Sequence, residues 1–195
     1  MKPFALSSTF TTLVFGCAYA LWVVLEIWYA LSSVRRAGQN RDRGTIVITL
    51  LTYCVFLPLS WISAMHVPNL TVRGNQWAIF WLGMLVMLFG TVFRFWAIRT
   101  LGKYFTPTVV IQKGQQLVTA GPYKYLRHPS YTGVFFTLLG SGIVLGNWLS
   151  VLFCVLAFGA ILVRINVEEK VLLQHFGAEY ENYMKHTDRL IPGIY

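Results

Sequence analysis

The densest cluster of polar side chains in the sequence stands directly before a long apolar run. The stretch GPYKYLRHPSYTG, residues 121–133, brings Lys124, Arg127 and His128 up against it. Pro129 suits the first position of a helix, where its missing N–H costs nothing, so His128 would stand at the positive end of that helix. Such an end favours an anionic group, a carboxylate or a phosphate. The same spacing also fits a simpler role at the membrane interface. In that case Arg127 and His128 only flank the apolar run, and the tyrosines belong to the belt of aromatic residues found at membrane surfaces.

A second cluster follows the apolar run. Arg164 and Glu168 are one helical turn apart and would face the same way, with Glu169 beside them. An exposed ion pair is the simpler interpretation. However, Arg164 follows the 35 uncharged residues of 129–163, and a charge at such a place is costly and usually functional. We therefore favour a functional role for this cluster.

The composition predicts a membrane protein. Of the 195 residues, 56% are hydrophobic and 12% are charged, against about 25% charged in soluble domains. The net charge of +9 does not indicate nucleic acid as a partner, because nearly all charges lie between or after apolar blocks, as in loops that face anionic lipids. Histidines and cysteines show no metal-ligand spacing. We expect one integral membrane domain over residues 1–195, with the lipid bilayer as partner and no bound metal.

The apolar blocks predict an all-α fold with about five transmembrane helices. Three spans are expected at about 10–31, 45–65 and 77–98. The run 129–163 would be about 50 Å long as one helix, too long for a hydrocarbon core of about 30 Å. The break LGNW at 145–148 instead predicts a tight hairpin of two spans, about 129–146 and 147–164. Residues 166–186 then predict an interfacial C-terminal helix, with Gly177 as a break inside it.

The hairpin also predicts where a site should lie. It returns the chain to the side that it left, so residues 99–127 and 164–195 would face one compartment and form a pocket there. Of the sixteen Lys and Arg residues, only Lys2 and Arg73 fall on the opposite side. The positive-inside rule therefore predicts an N-terminus outside, and a C-terminus and active site in the cytoplasm.

From about residue 101 onward, roughly half of the chain resembles the isoprenylcysteine carboxyl methyltransferase family and its wider membrane methyltransferase relatives. Four features carry the resemblance. They are LVTAGPYKYLRHPSYTG at 117–133, Arg164 with the pair EE at 168–169, FGAEYENYMKHT at 176–187, and Pro192. It implies a methyltransferase that uses S-adenosylmethionine without a Rossmann domain and acts on a lipophilic prenyl or acyl substrate. Residues 1–100 would supply three spans, and residues 101–195 the catalytic region.

The resemblance also implies roles for single residues. Gln115 and Gln116 stand where characterised eukaryotic members carry a histidine. Glu168 matches the acidic cofactor ligand, and Arg164 matches the arginine implicated at the substrate, where it would hold a carboxylate by a charge-assisted contact. Tyr123, Tyr125 and Tyr131 can offer ring faces to a sulfonium cation. The full set of expected cofactor contacts is Gln115, Gln116, Leu117, Val118, Tyr123, His128, Pro129, Ser130, Tyr131 and Glu168, with Arg164 as the catalytic and substrate-binding residue.

Three other functions remain open from the sequence. Sterol-type membrane reductases share RHP and an ending like IPGIY, and they bind a reduced nicotinamide cofactor in that region. A phospholipid N-methyltransferase would use the same fold and cofactor. A non-catalytic membrane protein could keep the fold alone. Binding of S-adenosylmethionine or of NADPH separates the first of these from a methyltransferase.

Overall fold

The described chain is built mainly from α-helices. The computed structural model describes residues 3–33, 39–40, 44–106, 108 and 110–193. Its α-helices are α1 Thr9–Ser33, α2 Thr45–His66, α3 Gln76–Leu101, α4 Pro129–Val144, α5 Trp148–Phe176 and α6 Ala178–Lys185. Short 3-10 helices occupy Phe4–Leu6, Pro68–Leu70, Gly102–Tyr104 and Gly121–Lys124. Within the described ranges, strand structure is limited to the antiparallel pair Gln39–Asn40 and Val110–Ile111.

Four of these helices are long and apolar enough to cross a membrane. They comprise Thr9–Leu31, Thr45–His66, Gln76–Tyr104 and Trp148–Phe176. Large apolar side chains point away from the bundle, and Leu13, Val24, Leu85 and Val92 are each 59–66% exposed. Exposed apolar surface of this extent is typical of a lipid-facing protein. Helices are thus present at the three positions predicted for the first spans.

The helices α3 and α4 pack closely because glycines line their seam. Gly83 and Gly90 lie on α3, and Gly133 and Gly140 lie on α4. A Cβ on any of the four would collide with the backbone of the facing helix. Glycine therefore lets the two backbones approach, as small residues do in membrane helix pairs. Gly142 likewise lies close to α5, since an added Cβ would come within 2.9 Å of Val151 Cα.

The break predicted at LGNW is present between α4 and α5. Gly146 adopts a left-handed φ of 64°, which glycine reaches without strain. The side chain of Asn147 then caps α5, because its oxygen accepts hydrogen bonds from the backbone N–H groups of Leu149 at 3.0 Å and Ser150 at 3.3 Å. Only residues 145–147 separate the two helices.

The helix α5 extends beyond the span predicted for it. The sequence predicts the fifth span at about 147–164, and the helix that contains it continues to Phe176. No proline or glycine interrupts residues 160–176, so helix geometry continues until Gly177 takes a φ of 53° and its N–H bonds Leu173 O. The predicted C-terminal helix is therefore two elements, the last part of α5 and the short α6, and the break at Gly177 is confirmed.

Candidate active site

A cavity whose lining includes several polar and charged side chains, called the polar cavity below, lies between residues 101–131 and the ends of α5 and α6. Ten of the eleven residues predicted as site residues line it, and they are Gln115, Gln116, Leu117, Val118, Tyr123, His128, Ser130, Tyr131, Arg164 and Glu168. The exception is Pro129, which is buried as the first residue of α4. Tyr125, expected to offer a ring face, is 61% exposed and stands outside the lining. The topology thus brings the two sequence clusters together.

The Tyr131 hydroxyl joins the two charged residues of the second cluster. Arg164 Nε donates a hydrogen bond to this hydroxyl at 2.8 Å, and the hydroxyl donates to Glu168 Oε2 at 2.8 Å. Arg164 is buried at 4% exposure. The turn-spaced pair predicted from the sequence therefore faces one cavity, with a tyrosine between its members.

His128 lies at the start of α4, as predicted, but its ring contacts an acidic residue. His128 Nε2 is 3.3 Å from Glu169 Oε1, and its ring stacks on Tyr131 with centroids 5.7 Å apart. Glu169 also binds Arg127 Nε at 2.8 Å and Arg189 Nη2 at 2.7 Å. Adjacent helix residues point in directions about 100° apart. Glu168 therefore faces Tyr131, and Glu169 faces the basic residues.

The basic residues around Glu169 fasten the C-terminal segment over the site. Arg127 Nη1 donates to the main-chain oxygens of Met184 and Thr187. The N–H groups of Arg127 and His128 donate to the main-chain oxygens of Asp188 at 2.8 Å and Arg189 at 3.0 Å. The start of α4, the end of α5 and residues 184–190 are thus joined by hydrogen bonds and ion pairs.

Three buried tyrosines contribute to the polar cavity. The Tyr183 hydroxyl donates to Tyr123 O at 2.6 Å. The Tyr180 hydroxyl is buried and has no hydrogen-bond partner among the described residues. Burial is the main cause that raises the pKa of Tyr123, Tyr180 and Tyr183 above the ordinary value. All three phenols are therefore protonated at neutral pH and can donate hydrogen bonds.

A second, apolar cavity of about 350 Å³ is lined by Arg164. Its wall is formed largely by apolar and aromatic side chains of α1 and α2, including Trp22, Leu50 and Leu57. This volume falls in the range of small-molecule sites. The two cavities meet, because Phe105, Thr106, Tyr131 and Arg164 line both of them.

An ion pair lies in the wall of the apolar cavity. The carboxylate of Glu26 on α1 binds Nε and Nη2 of Arg94 on α3. Arg94 Nη1 also donates to Ser130, at 2.8 Å to the hydroxyl and 3.2 Å to the main-chain oxygen. The two charged residues of these apolar helices thus form a pair with each other.

Sequence reasoning missed several residues at the site. Glu169 and Arg127 both stand within motifs that the sequence analysis quotes. Their contact with each other could not be predicted, because it depends on the packing of α5 against the start of α4. Tyr180 lies within residues 166–186, predicted as an interfacial helix, and it lines the polar cavity. Among the described residues, no group of three or more His, Cys, Asp and Glu could hold a metal ion.

Comparison with known proteins agrees with this geometry. The model of the isoprenylcysteine carboxyl methyltransferase family matches residues 81–174. A probable protein-S-isoprenylcysteine O-methyltransferase of Oryza sativa subsp. indica is 35% identical over 184 residues, which cover 91% of this chain and 96% of that protein. The protein-S-isoprenylcysteine O-methyltransferase of Dictyostelium discoideum is 36% identical over 138 residues, 69% of this chain and 56% of that protein.

A solved structure shares the fold. It is that of a eukaryotic intramembrane Ras methyltransferase, isoprenylcysteine carboxyl methyltransferase, with a TM-score of 0.58 and 33% sequence identity. The match covers 76% of this chain and 52% of the solved chain. The present chain therefore spans only about half the length of that protein and of the Dictyostelium relative, but nearly all of the rice relative.

The fold, the apolar helices and these matches together define a multi-pass integral membrane protein of the methyltransferase class. The chain belongs to the isoprenylcysteine carboxyl methyltransferase family.

Proposed function

We propose that the chain transfers a methyl group from S-adenosylmethionine to the carboxylate of an isoprenylcysteine-like acceptor. One observation carries this proposal: Tyr131 and Arg164 line both the polar and the apolar cavity. A polar cofactor in one cavity and a lipophilic acceptor in the other would have their reactive ends side by side. Such positioning can supply most of the rate enhancement for a reaction between two bound molecules.

The polar cavity fits S-adenosylmethionine by the chemistry of its lining. Glu168 offers negative charge to an ammonium group or hydroxyls, and the rings of Tyr123 and Tyr131 suit a cation. The unpartnered Tyr180 hydroxyl is a buried donor, and a buried donor without a partner costs stability unless a ligand satisfies it. We propose Gln115, Gln116, Leu117, Val118, His128, Pro129 and Ser130 as further contacts of the cofactor. When bound, this cofactor supplies a methyl group on a positively charged sulfur.

Arg164 is the residue proposed to hold the acceptor. Its guanidinium would bind the carboxylate at the junction and orient one oxygen towards the polar cavity. Transfer forms a carbon–oxygen bond, breaks the carbon–sulfur bond and gives a methyl ester. A carboxylate is already ionised at neutral pH, so no general base is required. An amine acceptor fits this position poorly, because a cationic headgroup would be repelled by Arg164.

The apolar cavity would hold the prenyl chain. Its wall is mostly apolar, and it is formed largely by α1 and α2. A chain of isoprene units would leave water and gain about 25 cal/mol for each Å² of apolar surface buried. The prenyl chain of the acceptor would enter sideways from the bilayer, between the spans. In this division, residues 1–100 mainly build the acceptor chamber, and residues 101–195 form the catalytic region.

The membrane arrangement is part of the proposal. The helices α4 and α5 would cross as a hairpin, giving five spans in all. The sixteen residues of α4 reach about 24 Å, enough to extend from the hairpin turn to a site near one membrane surface. The asymmetry of basic residues places the N-terminus outside, and the active site and C-terminus, including the interfacial α6, in the cytoplasm.

A binding comparison tests the cofactor. The protein purified in detergent is titrated by calorimetry with S-adenosylmethionine and, separately, with NADPH. Saturable binding of S-adenosylmethionine supports the proposal, whereas binding of NADPH alone would identify a reductase. Glu168→Ala should abolish binding of S-adenosylmethionine, and Arg164→Ala should leave it intact. Labelled-methyl transfer to a prenylcysteine, and not to phosphatidylethanolamine, then distinguishes a carboxylate acceptor from an amine.

A further inference from the structure

A chain of polar contacts connects α1 to the start of α4. Both oxygens of Glu26 are bound by Arg94, through Nε and Nη2. The remaining terminal nitrogen, Nη1, holds Ser130 by its hydroxyl at 2.8 Å and by its main-chain oxygen at 3.2 Å. One guanidinium thus joins three helices, and it reaches α4 in its first turn.

The chain of contacts continues from Ser130 into the proposed site. The next residue is Tyr131, whose hydroxyl contacts Arg164 and Glu168, each at 2.8 Å. The position of the Tyr131 ring depends on the first turn of α4, which Arg94 holds. Contacts among these side chains therefore run from the wall of the apolar cavity to the residue proposed to bind the acceptor.

The packing around Arg94 leaves little room for adjustment. A Cβ on Gly133 would come within 2.5 Å of Arg94 Cβ and 2.6 Å of its backbone nitrogen, so α3 and α4 touch backbone to backbone at this level. Arg94 is mostly buried, with a side-chain exposure of 13%. A charged pair within apolar spans is costly to maintain, and an apolar pair would stabilise helix packing as well or better. Packing alone therefore does not account for these charges.

We propose that Glu26 and Arg94 are positioning residues for methyl transfer. They act by holding Ser130, and through it the Tyr131 ring that fixes the guanidinium of Arg164 at the junction of the cavities. Neither residue needs to touch a reacting atom. This inference rests on the function proposed above. A shift of about 1 Å at a reacting group can lower a rate about 100-fold, so loss of the Arg94–Ser130 contacts should reduce turnover.

A charge-swapped variant separates positioning from simple ion pairing. The double variant Glu26→Arg with Arg94→Glu keeps opposite charges on α1 and α3, but a glutamate at position 94 cannot donate to Ser130. We expect its thermal unfolding midpoint in detergent to recover relative to either single variant. Its kcat for labelled-methyl transfer to acetylated S-farnesylcysteine should remain at least about tenfold below that of the parent. Recovery of kcat together with stability would overturn the proposal, because the pair would then only join helices.

Two further variants keep the test decisive. Arg94→Lys preserves the charge but cannot bind Glu26 and Ser130 through separate edges, so we expect a folded protein with kcat lowered at least about tenfold. Parental kcat in this variant would also overturn the proposal, even where the swapped protein does not fold. Ser130→Ala removes only one of two acceptors and should lower kcat about threefold with unchanged unfolding. Cofactor binding and turnover by the parent test the proposed function separately.

Discussion

Arg164 Nε and the Tyr131 hydroxyl lie 2.8 Å apart, at the place where a polar and an apolar cavity meet. The same hydroxyl binds Glu168, so one phenol separates a buried cation from a carboxylate one helical turn away. Without it, the two charges could pair directly and neutralise each other. In the proposed function, this arrangement would keep Arg164 oriented towards the acceptor and Glu168 towards the cofactor.

Tyr131→Phe tests this separation. The variant keeps the ring that stacks on His128 but loses both hydrogen bonds of the hydroxyl. Because Arg164 can then turn towards Glu168, we expect kcat for methyl transfer to fall by about ten- to a hundredfold. Tyr125→Phe, at an exposed position outside the cavity lining, is the matched control and should retain parental kcat. Equal activity of the two variants would show that the hydroxyl does not orient Arg164.

Replacement by glutamine should have different effects at the adjacent residues Glu168 and Glu169. At Glu169 it should lower thermal stability, and at Glu168 it should weaken cofactor binding. Glu169→Gln leaves the buried Arg127 without its charged partner, which costs about 3 kcal/mol and should lower the unfolding midpoint by at least about 5 °C. Glu168→Gln should leave the midpoint within about 2 °C and weaken S-adenosylmethionine binding at least tenfold. Thermal unfolding and calorimetry of both variants check this. A reversed pattern would mean that Glu169, and not Glu168, faces the cofactor.

Tyr180→Phe removes the buried hydroxyl that has no partner among the described residues. If the cofactor accepts a hydrogen bond from this hydroxyl, the Kd of S-adenosylmethionine should be about three- to tenfold higher for the variant than for the parent. The variant without cofactor should be no less stable than the parent. Burial, followed by the charges of Glu169 and Glu168, raises the pKa of Tyr180. The phenol therefore stays protonated, and the ratio of the two Kd values should be constant between about pH 7 and 9. An unchanged Kd would remove Tyr180 from the site.

Gly140→Ala should destabilise the protein, because the added methyl group meets the backbone of Met87 on α3. Overpacking of this kind costs about 1–3 kcal/mol, and thermal unfolding in detergent measures it. Gly159→Ala is the matched control on α5, where nothing lies within 4 Å of the added methyl group. It should be neutral or slightly stabilising, since alanine favours helix. Similar midpoints for the two variants would contradict the close approach of α3 and α4.

The helices could be predicted from the sequence where the signal is local. Apolar blocks of span length predicted α1, α2 and α3 nearly to their ends, and glycine followed by a capping asparagine predicted the turn before α5. The end of α5 could not be predicted in this way. Charged residues begin at Arg164, but charge does not stop a helix, and this one continues to the glycine at 177.

The residues of the site could be predicted where they belong to a sequence motif, but the contacts between them could not. Four residues of RHPSY, namely Arg127, His128, Ser130 and Tyr131, and Glu168 of the EE pair line one cavity. The separate orientations of Glu168 and Glu169 follow from where α5 packs, and the contact of Arg94 with Ser130 follows from the glycine seam between α3 and α4. Such relations arise between segments distant in the sequence, so no local pattern reports them.

The most direct test of the central claim is methyl transfer by Arg164→Ala compared with the parent. Both proteins are incubated with labelled S-adenosylmethionine and acetylated S-farnesylcysteine, and base-labile label in the lipid product is counted. We predict that the parent forms a methyl ester and that the variant loses at least about 100-fold in kcat/KM, a change of about 2.7 kcal/mol, while its Kd for S-adenosylmethionine stays within about twofold. Parental turnover by Arg164→Ala would contradict the account, and so would a parent protein that binds the cofactor but forms no ester.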